Sequence, residues 1–227
     1  RLLFALLIST TIAQASDYNR KDWRHWIDSD GDCQNTRHEL LIEKSLSSVS
    51  FTERQDGKDC TVDKGTWNGY YLKKAFSKAA DLDVDHIVPL KWAHDHGATG
   101  WTKDRKKLFA NDPLNLLLVD DAENQSKGAR GPATWLPKNI AFHCEYAALW
   151  STILNKYNLS PLSQDKNWID TTTRKCAINP ASPKIKLKKK QNANLKFTAQ
   201  KQSDGRIIFS NIPLSCVDNG INICLPQ

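Results

Sequence analysis

Asp85 and His86 stand side by side in the chain, Asn115 follows, and Asn124 and Lys127 come after it. These types in this order suit hydrolysis assisted by a metal. Mg²⁺ is a hard ion that takes oxygen ligands and keeps several waters, so one carboxylate and one amide oxygen can hold it. Asp85 and Asn124 would supply them. A neutral imidazole can take a proton from water near neutral pH, the role expected of His86. Such a base needs an acceptor that fixes its tautomer and orientation, and the side-chain carbonyl of Asn115 is the expected one. Lys127, Arg130 and Arg37 are candidate partners for an anionic phosphate.

The elements that must carry these groups are legible in outline. Residues 82–90 (LDVDHIVPL) begin with apolar/acidic alternation, a strand signal. Neighbours on a strand face opposite sides, so Asp85 and His86 can share a site only where the strand is ending, and Pro89 supports an end there. Leu114 to Val119 reads as a short apolar strand. Ala122 to Ser126 opens a helix, with Asp120 or Asp121 as its cap. Helical spacing marks 36–49, with Thr36 and Glu39 as a capping box, and also 140–157; shorter helices are expected at 91–97 and 103–109. Asp28, Asp30, Asp32 and Glu39 fall at positions 1, 3, 5 and 12 of a calcium loop, but Cys33 stands where such a loop needs glycine. An Asp-rich turn before a helix is the competing reading for a structural Ca²⁺ site.

VDHIVPL, NLLLV and ENQSKG resemble the HNH, or ββα-metal (His-Me finger), endonucleases. A wider set covers residues 20–178: WRHWIDSDGDCQNTRHELL, GTWNGYY, LDVDHIVPLKWAHDHGATGW, RKKLFANDPLNLLLV, NQSKGARGPATWLP and HCEYAALW. Together these are similar to a secreted bacterial HNH endonuclease family related to the C-terminal domain of GmrSD-type restriction enzymes. The resemblance implies an α+β fold with a ββα-metal core wrapped by helices and loops. It implies one divalent metal on Asp85 and Asn124 (Mg²⁺, with Mn²⁺ the alternative), His86 as general base and Asn115 as its orienter. It also implies disulfides Cys33–Cys60 and Cys144–Cys176. His94 and His96 match no position of the family pattern.

Composition bounds the remainder. The 227 residues are 40% hydrophobic, enough for a packed core and too apolar for wholesale disorder. No GxxxxGK[ST] or GxGxxG occurs, so a P-loop or dinucleotide fold has no support. Residues 1–15 have the form of a secretory signal: Arg1, the apolar run Leu2 to Ile12, then Ala13-Gln14-Ala15. No later apolar run is long enough to span a membrane. Export, to the medium or a periplasm, makes six cysteines read as disulfides. Fifteen pairings are open, and the simplest joins neighbours, which adds Cys216–Cys224. All eight Trp lie between 23 and 168, whereas the segment from Lys184 onward carries eight Lys and Arg against Asp204 and Asp218, +6 of the chain's +7. The expected organisation is therefore a nuclease domain at 16–178, a Lys-rich linker at 179–196, and a small disulfide-stapled hairpin module at 197–227. A monomer acting on nucleic acid, DNA first and RNA second, is the expected state. The competing classes are a non-catalytic nucleic-acid-binding protein and a cell-surface adhesion protein, both resting on the basic tail.

Overall fold

A computed structural model of the chain describes residues 17–53 and 55–178, together with four short strands between 199 and 226. The signal segment and the linker expected from the sequence lie outside the described residues. Contacts divide the chain into two units, 1–182 and 183–227.

The first unit is mixed α+β with two small sheets and two disulfides. Strands β1 (Ser50–Phe51), β2 (Val62–Gly69) and β3 (Lys74–Lys78) form one antiparallel sheet. Strands β4 (Leu82–His86) and β5 (Leu116–Asp120) form an antiparallel pair, with Leu82 opposite Asp120 and His86 opposite Leu116. Both faces of that pair are covered. Leu82, Val84, Leu116 and Leu118 pack with Leu40, Leu41, Val62, Trp67 and Phe76. Leu117 and Val119 pack on the other side with Trp23, Tyr71, Trp135, Tyr146 and Trp150. This is why β5 reads as an unbroken apolar run and not as an alternation. Each buried Leu or Val contributes roughly 1.5–3 kcal/mol.

Helix α1 (Thr36–Lys44) is capped by Asn35, whose side chain accepts from the Arg37 and His38 amides. The expected cap, Thr36, instead donates its hydroxyl to the Ile27 carbonyl at 2.9 Å. The helix ends at Lys44 and not near 49, because the serines that follow bond locally: Ser45 Oγ donates to Ser47 O. After β4 come α2 (Leu90–Ala93), a wide turn at His94–Ala98, and α3 (Lys103–Ala110). Asp112 caps a tight turn, Pro113–Asn115, so β5 begins two residues later than the apolar run. Asp120 then caps α4 (Asp121–Lys127) by accepting from the Glu123 amide at 3.3 Å. Strand β4, strand β5 and helix α4 thus make a strand–strand–helix unit.

Helix α5 (His143–Tyr157) is followed by α6 (Ser163–Ile178), which the sequence did not announce. Asp165 of α6 is buried, accepting from Trp92 Nε1 and from the Ala133 amide. A β-carbon at Gly131 would collide with that carboxylate, so the 131–133 turn can approach only without one. Cys144–Cys176 ties α5 to α6, and Cys33–Cys60 ties the loop before α1 to the segment before β2. Closing loops of 27 and 32 residues contributes about 3–4 kcal/mol each on the chain-entropy account. No described helix is long and apolar enough to cross a membrane.

The second unit contains two antiparallel pairs. Strand β6 (Ala199–Lys201) pairs β7 (Ile207–Phe209), and β8 (Leu214–Val217) pairs β9 (Ile223–Pro226). The backbone register sets Cys216 opposite Cys224, and the expected bridge between them lies outside the described residues.

Candidate active site

Strand β4 carries the candidate groups on two different faces. Asp83 and Asp85 share one face by the strand period and meet α4, whose Asn124 and Lys127 are three residues apart on one stripe. Lys127 Nζ donates to Asp85 Oδ2 at 2.6 Å and to the His86 carbonyl at 2.7 Å. Tyr71 Oη donates to the same Asp85 oxygen at 2.5 Å. Lys127 is 0% exposed and Asp85 7%. Burial pushes the Lys127 ammonium down from the usual lysine range, and the Asp85 charge opposes that shift. Burial, helped by Asp85, holds the Tyr71 hydroxyl well above the usual tyrosine range, so it stays a donor.

Asn124 does not join Asp85. Its Nδ2 donates to Asp83 Oδ2 at 2.9 Å, and both residues are half-buried. The expected Asp85–Asn124 ligand pair is therefore replaced by two closed pairs, Asp85–Lys127 and Asp83–Asn124. Lys127 does not reach a phosphate, because its ammonium is fully buried and bonded to Asp85 and the His86 carbonyl. An open cleft beside Asp83 is lined by Asp81, Asp120, Asp121 and Lys74 among others, an acidic wall that repels a bare phosphate.

His86 lies on the opposite face. The strand stays regular through this residue, so Asp85 and His86 do not share a side as a strand end would have allowed. His86 Nε2 is 2.8 Å from the Ala110 carbonyl. A carbonyl only accepts, so Nε2 carries the proton and Nδ1 of the neutral ring holds the lone pair. Burial pushes the imidazole down to about 3; the Ala110 bond opposes this, and Arg20, His25 and Lys127 add to it. The ring is a neutral base at every ordinary pH. Trp26 stacks on it, with centroids 5.8 Å apart, and His25 meets it edge-on at 6.3 Å.

Asn115 orients backbone and not the ring. Its Oδ1 accepts from the Val88 amide at 2.8 Å, and its Nδ2 donates to the Val88 carbonyl at 3.2 Å. The fully buried amide thereby locks the turn leaving β4 onto the turn entering β5, and the ring-holding carbonyl is that of Ala110.

The other sequence candidates scatter. Arg37 donates to the Ala79 and Leu82 carbonyls, pinning the entry to β4 beside Asp83. Burial lowers its pKa, and Asp83 partly offsets this. Arg130 is exposed, with its Nε on the Lys127 carbonyl. Asp28, Asp30 and Asp32 do gather, with one carboxylate oxygen of each within 4.8 Å of the others, all exposed. Glu39 is not in that cluster; it sits in the first turn of α1. Both Asp28 oxygens accept backbone amides, from Gly31 and Cys33, which is Asp-turn geometry. Tyr71, His25 and Trp26 were not anticipated from the sequence. They lie within the family-like stretches WRHWIDSDGDC and GTWNGYY, but no spacing there marks them as site residues, since their partners lie elsewhere in the chain.

Residues 39–175 match the family described as GmrSD restriction endonucleases, C-terminal domain. A protein of Arthroderma benhamiae described as an uncharacterized secreted protein is 35% identical over 161 residues, covering 70% of this chain and 76% of that protein. No solved structure matches the chain.

Proposed function

The chain belongs to the family of the C-terminal domain of GmrSD restriction endonucleases, and from that premise we propose that it is an exported endonuclease that hydrolyses phosphodiester bonds of DNA with little sequence preference. Strand–strand–helix units of this kind support an HNH-type assignment. The two disulfides fit an oxidising, extracellular setting, as does the secreted character of the Arthroderma benhamiae relative. The observation that carries the reading is the tautomer of His86: Nε2–H is engaged by Ala110, and Nδ1 is an unprotonated base.

In the reaction, a water loses its proton to His86 Nδ1 as its oxygen forms the new bond to phosphorus. The opposite P–O3′ bond breaks, the departing oxygen takes a proton from solvent, His86 returns its own to solvent, and the expected ends are 5′-phosphate and 3′-hydroxyl. Ala110 O holds the ring through Nε2–H and stabilises the imidazolium that forms. Asn115 keeps the Val88 turn in place behind it.

Nucleases typically use a divalent metal, Mg²⁺ being the first expectation. The arrangement does not fit an ion shared by Asp85 and Asn124. An ion there would compete with a fully buried ammonium for Asp85, and Asn124 leans on Asp83 through its Nδ2. The oxygen donors left for a hard ion are those of Asp83 and Asn124, across β4 from His86. The test is nicking of plasmid DNA by the mature chain, with and without EDTA, beside His86→Ala. Nicking that His86→Ala abolishes supports the assignment. Absence of cleavage by the parent under every metal condition rejects it.

A further inference from the structure

The segment before α1 brings a second imidazole to His86. His25 Nδ1 lies 2.9 Å from the Trp23 carbonyl, and its ring meets both His86 and Trp26 edge-on. The segment is held firmly. Asn111 Nδ2 donates to the Arg24 carbonyl at 2.8 Å, and Asn111 Oδ1 accepts from the Ile27 amide at 3.3 Å. The Ile27 carbonyl accepts from the Thr36 amide at 2.8 Å. Residues 110 and 111, at the end of α3, therefore position both rings, Ala110 holding His86 and Asn111 the stretch bearing His25.

Between these anchors Trp26 adopts φ 55. A bulky residue in the left-handed region costs about 1–2 kcal/mol, and such strain persists where the surroundings impose it. Here it presents the Trp26 ring to His86 and leaves it half-exposed. His25 is half-exposed too, and Arg20 and Arg24 of the same stretch are exposed. The charged groups acting most on His86 are Arg20, His25 and Lys127, all of one sign. An anionic oxygen of a substrate would offset an imidazolium formed at His86.

We infer that His25 is the phosphate-binding residue of the His86 site, donating from Nε2 to a non-bridging oxygen of the phosphodiester whose attacking water His86 deprotonates. This rests on the nuclease reading above. The Trp23 carbonyl can only accept, so Nδ1 carries a proton, and Nε2 of the neutral ring has none to give. His25 therefore binds phosphate only as the imidazolium, and the contact is charge-assisted. The groups facing it are the His86 and Trp26 rings, with Arg20 and Lys127 the other charges acting on His86. Arg20 adds a permanent charge that keeps some affinity when His25 is neutral.

The experiment measures binding of a short fluorescein-labelled DNA duplex to the full mature chain in EDTA at low salt, across pH, with plasmid nicking followed in parallel. Expected is a loss of affinity of about tenfold from acid to alkaline pH, because only the imidazolium donates from Nε2. His25→Ala should bind weakly and evenly across that range. His25→Arg should bind tightly at alkaline pH, a rescue that a merely structural role would not give. His25→Gln, similar in size, gives the same even profile as alanine if alanine fails to fold. Parental pH dependence that persists unchanged in His25→Ala or His25→Gln overturns the inference, whatever the nicking shows. A parent that binds through His25 but never nicks would leave this anion site standing and remove the nuclease reading.

Discussion

The two faces of β4 are built from neighbouring residues and have opposite electrostatics. On the acid face every charge has a partner: Asp85 with Lys127 and Tyr71, Asp83 with Asn124. On the imidazole face Arg20 and His25 both disfavour a charge on His86, and two aromatic rings stand at the edge of solvent. A buried carboxylate with an ammonium and a phenol on it rigidifies, because its groups are already satisfied. A set short of one sign binds what it lacks, and here that is an anion. The difference assigns scaffold duty to one face and substrate duty to the other, although both are contributed by a five-residue strand.

Breaking the comparison starts with its largest effect. His86→Ala should lower DNA cleavage by ~10²–10⁴-fold, the usual cost of losing a general base, with the melting temperature little changed. Turnover within a few-fold of the parent would move the base elsewhere.

On the acid face the loss should fall on stability. Lys127→Met leaves Asp85 buried without its counter-charge and should cost about 3–5 kcal/mol in urea unfolding. Pairing it with Asp85→Leu should return much of that loss. A single Lys127→Met variant as stable as the parent would show that the pair is not closed as described.

Acid sharpens the contrast. His86 is depressed to about 3 in the folded protein, against about 6.5 for a free imidazole. The unfolded chain then binds more protons between those values. This contribution to stability is complete above about pH 6.5 and lost as pH falls toward about 3. His86→Asn should flatten that part of the stability profile; an unaltered slope would mean that the ring is not buried as a neutral base.

A smaller effect concerns a divalent ion. Asp83→Asn should raise the Mg²⁺ concentration for half-maximal cleavage several-fold, since the ion loses a charged oxygen. Asp85→Asn should leave that midpoint near the parental value in whatever fraction folds. The reverse order would return the metal to Asp85.

The smallest effect lies in the basic tail. Truncation after residue 178 should preserve cleavage at saturating DNA and reduce the slope of log affinity against log salt by ~0.9 per lost phosphate contact. An unchanged slope would exclude the tail from DNA binding, and a folded but inactive truncated chain would draw it into the active site.

Much of the fold was legible because it rests on local rules. The LNLLLV run announced a short strand, the Asp120-Asp121 pair announced a capped helix α4, with Asp120 the residue that caps it, and the apolar stripe of 140–157 announced α5, preceded by a tight turn at Ile140–Phe142. The Cys33–Cys60 and Cys144–Cys176 bridges followed the simplest neighbour pairing and the family pattern. Helix α6 escaped notice: the stretch from Ser163 is mostly polar, and its buried Asp165 is explained by the distant Trp92 and the Ala133 amide.

The site divides in the same way. Residue type and order by themselves determined that Asp85 and His86 would lie on a strand and Asn124 on a helix after the next strand, because alternation and helical spacing are properties of the chain over a few residues; Asn115, expected on that next strand, sits in the turn before it. Tertiary structure alone decided the partners. Strand β4 stays regular to His86 because β5 pairs with it to the end, and this sends Asp85 and His86 to opposite faces. Packing of α4 across β4 gave Asp85 to Lys127 and Asp83 to Asn124. The end of α3, not Asn115, took hold of the imidazole, and a strained Trp26 brought in His25 from sixty-one residues away. Hydrogen-bond partners are chosen by whichever groups burial leaves within about 3 Å, and that competition is settled between segments far apart in the chain.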